Sequence, residues 1–242
     1  MAVTKKKAST PSWMKTGNAA KAEVQKEEAK AAQAKEEAGK PRRFWMPNDS
    51  ETSITFLDGE LDDDGALNVP MIREHQLYLH GHYRNWFVCT QDEEPCPICE
   101  GGDKPNLIAL FTVIDHSEFT AQNGVTYKDQ IRVYAVKRNS LNMLQKYATK
   151  RKGLAGCTFE VSRTGDKSAA VGNVFDFDTK RTMEELKEAY PNTEIKPLDW
   201  ENTITYLDAT ELRKMGFGTS PMGSESAPSE HSEDGVDASD EL

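Results

Sequence analysis

Residues 89–99 read Cys-Thr-Gln-Asp-Glu-Glu-Pro-Cys-Pro-Ile-Cys, so three cysteines fall within one short segment. Cys96 and Cys99 are separated by two residues, the spacing at which two thiolates bind one tetrahedral metal ion. Cys89 ends a predicted strand nearby and supplies a third sulfur. The segment therefore predicts a metal-binding ribbon at about residues 75–105.

A tetrahedral zinc site needs a fourth ligand, and the candidates are His75, His80, His82, His116 and Cys157. Residues 75–89 are typical of two strands joined by a turn. If the turn centres near His82, His75 lies opposite Cys89, where facing Cβ atoms are about 4.5–5.5 Å apart. His80 would lie roughly 16 Å from Cys89 along the strand. We therefore expect His75 with Cys89, Cys96 and Cys99, while His80 and His82 remain alternatives to His75.

The expected cofactor is one Zn²⁺ ion in a structural role. Four protein ligands fill every coordination position of a tetrahedral ion and leave none for a catalytic water. A redox role for the cysteine pair is disfavoured, because no βαβ pattern surrounds it.

The charge of the chain is unevenly distributed. The whole sequence of 242 residues has a net charge of −10, but residues 1–43 hold eleven Lys/Arg against five Glu, a net of +6. Residues 224–242 hold seven Asp/Glu and no Lys/Arg, and residues 128–167 hold ten Lys/Arg against three Asp/Glu, a local net of +7. Because local charge governs contact with nucleic acid, the acidic total does not exclude it.

Two polar arms flank the body of the chain. Residues 1–43 form a basic arm rich in Ala, Glu and Lys, and its stretch 18–38 favours a solvated helix because Val24 is its only large apolar residue. Residues 219–242 form an acidic tail that is too polar to bury a core, so we expect it to be disordered.

Between the arms, residues 44–218 alternate short β-rich runs with turn residues, which predicts a mainly β domain with peripheral helices, either a small barrel or a sandwich. The predicted strands are Ile54–Leu57, His75–Leu79, Trp86–Cys89, Leu107–Ile114, Gln130–Val136, Cys157–Ser162 and Asn173–Phe177. The predicted helices are Ser140–Arg151 and two short ones that begin with capping boxes at Thr182–Glu185 and Asp208–Glu211.

Aromatic residues stand next to basic ones along this body. That mixture suits single-stranded DNA, because bases stack on aromatic rings while Lys and Arg contact phosphates. On the strand 130–136 we expect Arg132 and Tyr134 on the open face, and Ile131, Val133 and Ala135 in the core. The candidate DNA-binding residues are Tyr83, Arg84, Trp86, Arg132, Tyr134, Lys137, Arg138, Lys150, Arg151 and Lys152.

The order of these features resembles the T-even-type phage single-stranded DNA-binding (helix-destabilising) proteins. His75, Cys89 and the Cys96-Pro-Ile-Cys99 knuckle are followed by the basic β run, a basic helix and the acidic tail. The resemblance covers roughly residues 42–180. It implies an oligonucleotide-binding (OB) barrel with an inserted zinc ribbon.

The same resemblance implies a role in coating single-stranded DNA during phage replication, recombination and repair. It implies self-association of neighbouring copies through a basic-hydroxyl motif, which here is Lys5, Lys6, Lys7, Ser9 and Thr10. The acidic tail is expected to bind replication and recombination proteins. The expected location is the cytoplasm of a bacterial host, since no stretch of ~18 apolar residues predicts a membrane span and no secretory signal is present.

Two other function classes fit parts of the sequence. A zinc-ribbon adaptor for replication or transcription would use the same metal pattern to bind protein partners. A metal-dependent nuclease would use the acidic run Asp58, Glu60, Asp62, Asp63 and Asp64, although such dense Asp and Gly are more typical of a solvated loop. No P-loop, Gly-x-Ser-x-Gly or His-Glu-x-x-His motif occurs. We expect a protein without enzymatic activity.

Overall fold

The structure is a computed structural model that describes residues 14–79, 82–120, 124–165 and 168–218, with the backbone alone for residues 29–30, 32–38 and 82–84. Helix α1 (Asn18–Gly39) belongs to a unit of its own, and the described side chains of this helix are mostly exposed. In the described ranges, none of the helices has the length and apolarity that crossing a membrane requires.

The body is an antiparallel β structure with short helices. Its strands are β1 (Ser50–Phe56), β2 (Met71–Leu79), β3 (His82–Val88), β4 (Asn106–Asp115), β5 (Phe119–Thr120), β6 (Thr126–Tyr127), β7 (Gln130–Lys137), β8 (Cys157–Arg163) and β9 (Val174–Lys180). Its helices are α2 (Pro97–Glu100), α3 (Arg138–Arg151), α4 (Met183–Ala189), α5 (Trp200–Thr203) and α6 (Ala209–Lys214). Each predicted strand is present, and both predicted capping boxes form.

Strand β4 organises the sheet. Residues 108–115 of β4 pair with β7 along one edge, and β2 and β1 share the other edge. β2 pairs with the first part of β4 and continues into β3, whereas β1 pairs with the last part and continues into β8 and β9. The β2–β3 hairpin is therefore held at one end of β4, beside the rest of the sheet.

One apolar core draws on strands from both sides of β4. Phe56 of β1 makes edge-on contacts with Phe111 of β4, Tyr134 of β7 and Phe159 of β8, with ring centroids 5.5–5.7 Å apart. Phe175 of β9 packs on Phe159 in the same core. Because β7 and β9 are far apart in strand order but share this core, the sheet curves around it.

The expected OB barrel is not confirmed. Among the described strands the β ladder does not run from β7 to β9, and a barrel requires that closure. The segment that leads into β1 lies at this gap: the Phe44 N–H donates to the Val133 carbonyl and the Met46 N–H to the Ala170 carbonyl, both at 2.8 Å. The fold is a curved, mainly antiparallel sheet.

The expectation for Tyr134 is wrong. Its side chain is fully buried in the core against Phe44 and Phe56, and its hydroxyl donates to the Val171 carbonyl at 2.8 Å. Val133, on the opposite face of β7, is buried too. Both faces are covered, so the alternation that distinguishes an open face from a core face does not apply to this strand.

The second face of the sheet is covered by residues 198–217, which we call the strap. At its start, Leu198, Trp200 and Ile204 pack on Ile108, Leu110 and Val133. The Leu198 N–H also donates to Thr112 Oγ1 at 2.9 Å. The strap then continues through α6 to the β2–β3 hairpin.

Candidate metal centre

Four potential metal ligands meet beside the β2–β3 hairpin. The Nε2 or Nδ1 atom of His75 and the Sγ atoms of Cys89, Cys96 and Cys99 all lie within 4.8 Å of one another. His75, Cys89 and Cys96 are buried and Cys99 is partly exposed. The structure thus brings together the four residues that the spacing singles out, in a cluster that could hold a metal ion.

The distances in the cluster match a tetrahedral ion. Cys89 Sγ lies 3.6 Å from Cys99 Sγ, and His75 Nε2 lies 3.5 Å from both Cys96 Sγ and Cys99 Sγ. With metal bonds of about 2.3 Å to sulfur and 2.0–2.1 Å to nitrogen, tetrahedral edges are ~3.8 Å for two sulfurs and ~3.6 Å for sulfur and nitrogen. The ligand atoms therefore surround a space of the size of one such ion.

The register of the β2–β3 hairpin differs from the expectation. His75 pairs with Phe87 rather than with Cys89, and the Cys89 N–H donates to the Arg73 carbonyl at 2.8 Å. The register is irregular between Leu77 and Leu79, and the turn lies earlier in the chain than expected. The partner of His75 is thus displaced by two residues from Cys89, so His75 and Cys89 stay on one face as diagonal neighbours.

Asp103 orients the histidine ligand. Its Oδ2 atom lies 2.6 Å from His75 Nδ1, so the ring donates through Nδ1 and turns Nε2 toward the sulfurs. A carboxylate behind a histidine fixes the tautomer that metal binding needs. Sequence reasoning missed Asp103, although it follows the knuckle directly and is the kind of partner to look for there.

The thiols of the cluster have unlike pKa values. Burial disfavours the Cys96 thiolate, but backbone N–H groups of Cys99, Thr90 and Ile98, together with His75, lower its pKa to about 6. Burial and the neighbouring sulfurs raise the pKa of Cys99 to about 12. Three sulfurs this close repel one another as anions, so a cation at their centre stabilises the thiolate form.

The strap covers the metal centre from the other side. Leu212 and Phe217 belong to the same apolar cluster as Cys89 and Cys96, and the Phe217 ring lies 5.2 Å from Phe87. Polar contacts add to this packing: the Ala209 N–H donates to Glu94 Oε1 at 2.7 Å, and Arg213 contacts both carboxylate oxygens of Glu100 at 3.0 Å.

The other candidate ligands have different partners where they are described. His116 bonds to Asp129 Oδ1 at 2.6 Å and to Thr55 Oγ1 at 2.8 Å. Cys157 is buried in the main core and donates to the Gly153 carbonyl. His80 lies outside the described residues, and the side chain of His82 is not described.

The candidate DNA-binding residues fall into separate groups. Lys137 and Arg138 are exposed where β7 becomes α3, and Lys150, Arg151 and Lys152 are exposed at the far end of α3. A helix of 14 residues separates the two groups by ~20 Å. The Arg151 guanidinium lies 3.6 Å above the centre of the Phe177 ring.

Arg132 and Trp86 both interact with other protein side chains. Arg132, which we expected on an open face, is partly buried with its Nε atom 3.7 Å from Asp115 Oδ2. Trp86 keeps 36 % of its surface exposed and supports the guanidinium of Arg43, 4.4 Å from the ring centre. Arg43 in turn forms a two-point ion pair with Glu74. Nothing in the sequence spacing connects Arg43 with this hairpin.

Two carboxylates of the acidic run accept backbone hydrogen bonds. Asp58 accepts the Thr112 N–H of the neighbouring strand with both carboxylate oxygens, at 3.0 and 2.9 Å. Asp62 Oδ1 accepts the N–H groups of Asp64 and Ala66. Of the groups that could hold a metal, the described residues contain the Cys₃His cluster and no carboxylate cluster.

Several predicted residues lie outside what the structure describes. The motif Lys5, Lys6, Lys7, Ser9 and Thr10 and the acidic tail 219–242 fall outside the described ranges, and the side chains of Tyr83 and Arg84 are not described.

Comparison of the chain with protein-family models, with curated proteins and with solved structures gives no match.

Proposed function

We propose that the Cys₃His cluster binds one zinc ion that orders the β2–β3 hairpin, α2 and the end of the strap. Three thiolates and one imidazole are the donor set of structural zinc sites, and the softness of the sulfurs disfavours magnesium and calcium. The four protein ligands leave no position for a reacting water. His75, Cys89, Cys96 and Cys99 hold the ion, and Asp103 orients His75.

Metal content and stability together test the zinc site. We expect one zinc per chain, and a lower melting temperature after chelation because metal binding is part of the folding free energy. Cys99→Ser and His75→Ala should both lose zinc. Cys157→Ser is the matched control, since this thiol lies in the main core, and it should keep full zinc content. Stoichiometric zinc and an unchanged melting curve in Cys99→Ser would contradict the assignment.

We further propose that the protein binds single-stranded DNA, as its resemblance to the phage proteins implies. The observation that carries this proposal is a group of exposed side chains on three adjacent strands. Arg73 of β2 pairs with Leu107 of β4 on one face of the sheet, whereas Lys137 of β7 pairs with the next residue, Ile108, so the Lys137 side chain belongs to the other face. Leu107 is 45 % exposed, and Arg73, Lys137 and the adjoining Arg138 are exposed.

This group combines what a single strand requires. The cations suit phosphates, and the exposed apolar side chain of Leu107 suits a base. We name Arg73, Leu107, Lys137 and Arg138 the cationic row. Its Arg73 lies next to the metal centre, because the Arg73 carbonyl accepts the Cys89 N–H. Zinc then has a function in binding, since it stabilises the hairpin that carries Arg73.

Titration of labelled dT oligonucleotides at several salt concentrations tests this function. Each lost phosphate contact reduces the salt slope of single-strand binding by about 0.7, so Lys137→Ala with Arg138→Ala should reduce it by roughly 1.4. Lys196→Ala, a cation paired with Glu194 ahead of the strap, is the control and should leave the slope unchanged. Absence of salt-dependent dT binding by the intact protein would reject the proposal and favour the protein-binding adaptor.

The nuclease alternative has a direct test. A coating protein leaves single-stranded DNA intact in the presence of Mg²⁺, whereas a nuclease degrades it. The participation of Asp58 and Asp62 in backbone hydrogen bonds favours the first outcome. DNA cleavage that disappears in an Asp62→Asn variant would overturn the proposal.

A further inference from the structure

The β5–β6 hairpin between β4 and β7 has an exposed aromatic face. Phe119 pairs directly with Tyr127, so both rings project from the same side, and they are 59 % and 40 % exposed. Val125, on the same side two residues before Tyr127, is 47 % exposed. On the opposite side Thr120 and Thr126 bond to each other through their hydroxyls at 3.0 Å. The rings thus stand on a hairpin whose other face is polar.

The base of this hairpin is firmly held. His116 and Asp129, at its two ends, bond at 2.6 Å, and His116 also bonds to Thr55 on β1. The Tyr190 ring stacks on His116 with centroids 5.1 Å apart, and Thr193 Oγ1 donates to the Asp129 carbonyl. The two rings are therefore presented next to a fixed support.

We propose that Phe119 and Tyr127 form a stacking platform for bases of single-stranded DNA, separate from the cationic row. This inference rests on the proposed function. A base needs only a flat ring face, and every base has one. A protein partner of ordinary affinity needs about 800 Å² on each side, far more than three side chains of a two-stranded hairpin offer.

One cation adjoins the two rings. Lys128 follows Tyr127 directly, and its acidic neighbour Asp129 is paired with His116. The hairpin and the cationic row lie at opposite ends of β7. The ten residue steps from Tyr127 to Lys137 span at most ~33 Å. A strand that contacts both sites bridges that distance.

Binding of dT20 by hairpin variants of the full chain is the test. Phe119→Ala and Tyr127→Ala should each weaken the affinity at least about fivefold, because each removes one ring–base stack. Thr120→Ala, on the polar face of the same hairpin, is the matched control and should bind as the unmodified protein does. Circular dichroism and melting curves should be unchanged in the ring variants, since both rings are exposed.

A photocrosslink provides a second, direct readout. Irradiation of the unmodified protein with dT20 that carries 5-iodouracil should label Phe119 or Tyr127, as located by fragmentation of the tryptic peptide that ends at Lys128. Unchanged dT20 affinity in both ring variants, or crosslinks confined to other residues, would overturn the platform while leaving DNA binding by the cationic row intact. Failure of the unmodified protein to bind dT20 would reject the proposed function itself. A change in self-association alone in the ring variants would count against the platform.

Discussion

Asp58 is a buried carboxyl at the end of β1 that accepts the Thr112 N–H with both oxygens. Burial raises its pKa from 3.8 to about 6, although the hydrogen bonds from Thr112 act in the opposite direction and lower it. The folded chain therefore holds this proton more tightly than the unfolded chain, and the contribution of Asp58 to stability falls as the pH rises from about 4 to 6.

Asp58→Asn removes this titration and keeps an oxygen for the Thr112 N–H. Relative to the unmodified protein, the variant should gain on the order of 2 kcal/mol in unfolding free energy between pH 4 and pH 7. Urea unfolding at a series of pH values measures the difference. Parallel stability curves for the two proteins would show that Asp58 titrates alike in the folded and unfolded chain.

Tyr134 also acts within the core. Tyr134→Phe should lower the unfolding free energy by about 1 kcal/mol, because the Val171 carbonyl loses its donor. Tyr134→Ala should cost about 3–5 kcal/mol through the cavity it leaves among the rings. Affinity for dT20 should be unchanged in Tyr134→Phe. Weaker dT20 binding at unchanged stability in that variant would place the ring in contact with DNA after all.

At the scale of elements, the strap links the outer face of the sheet to the metal centre. Its packing on the hairpin involves Phe87 and the cluster that contains the cysteines, and the proposed zinc ion would order both. Chelation should therefore speed cleavage by trypsin at Arg213 and Lys214, which lie in α6 of the strap. Cleavage at Lys187 in α4, which packs in a different apolar cluster, serves as the internal control.

The same coupling acts in the opposite direction. Phe217→Ala removes the ring that packs on Phe87 and should release zinc faster to a chelator. A chromogenic chelator follows that release, and mass spectrometry follows the cleavage. Zinc loss without faster cleavage at Arg213 and Lys214 would show that the strap holds its place without the metal.

At the scale of the whole molecule, the acidic tail and the basic regions are expected to attract one another. Gly218, the last described residue, lies against Pro97 of the metal knuckle, and seven acids follow it in the sequence within residues 224–242. Deleting residues 219–242 should tighten binding to dT20 at low salt, and the gain should fade at 1 M salt, where the Debye length is ~3 Å.

A tail of unchanged length whose seven acids are replaced by Asn or Gln is the matched control. It should tighten binding as the deletion does, because the effect depends on charge rather than on chain volume. Identical low-salt titrations with the native, neutral and deleted tails would contradict a competition between the tail and DNA for the basic residues. They would show that the tail has no influence on DNA affinity.

Features that depend on neighbours in the chain could be read from the sequence. The capping boxes at Thr182 and Asp208 and the Cys96–Cys99 knuckle involve contacts across three residues, and local residue types determine them. Strands follow runs of β-branched and aromatic residues. His75 lies in the cluster although the predicted register of the hairpin is wrong, because a shift of two residues returns a side chain to the same face of the hairpin.

Tertiary structure alone decided which faces are covered. Leu198, Trp200 and Ile204 pack on the outer face of β7 from a segment more than sixty residues away in the sequence, so both faces of that strand are apolar and Tyr134 points inward. The pairing of Arg132 with Asp115 likewise follows from strand order. Residue types determine local geometry, whereas burial depends on what packs against each face, and those partners are distant along the chain.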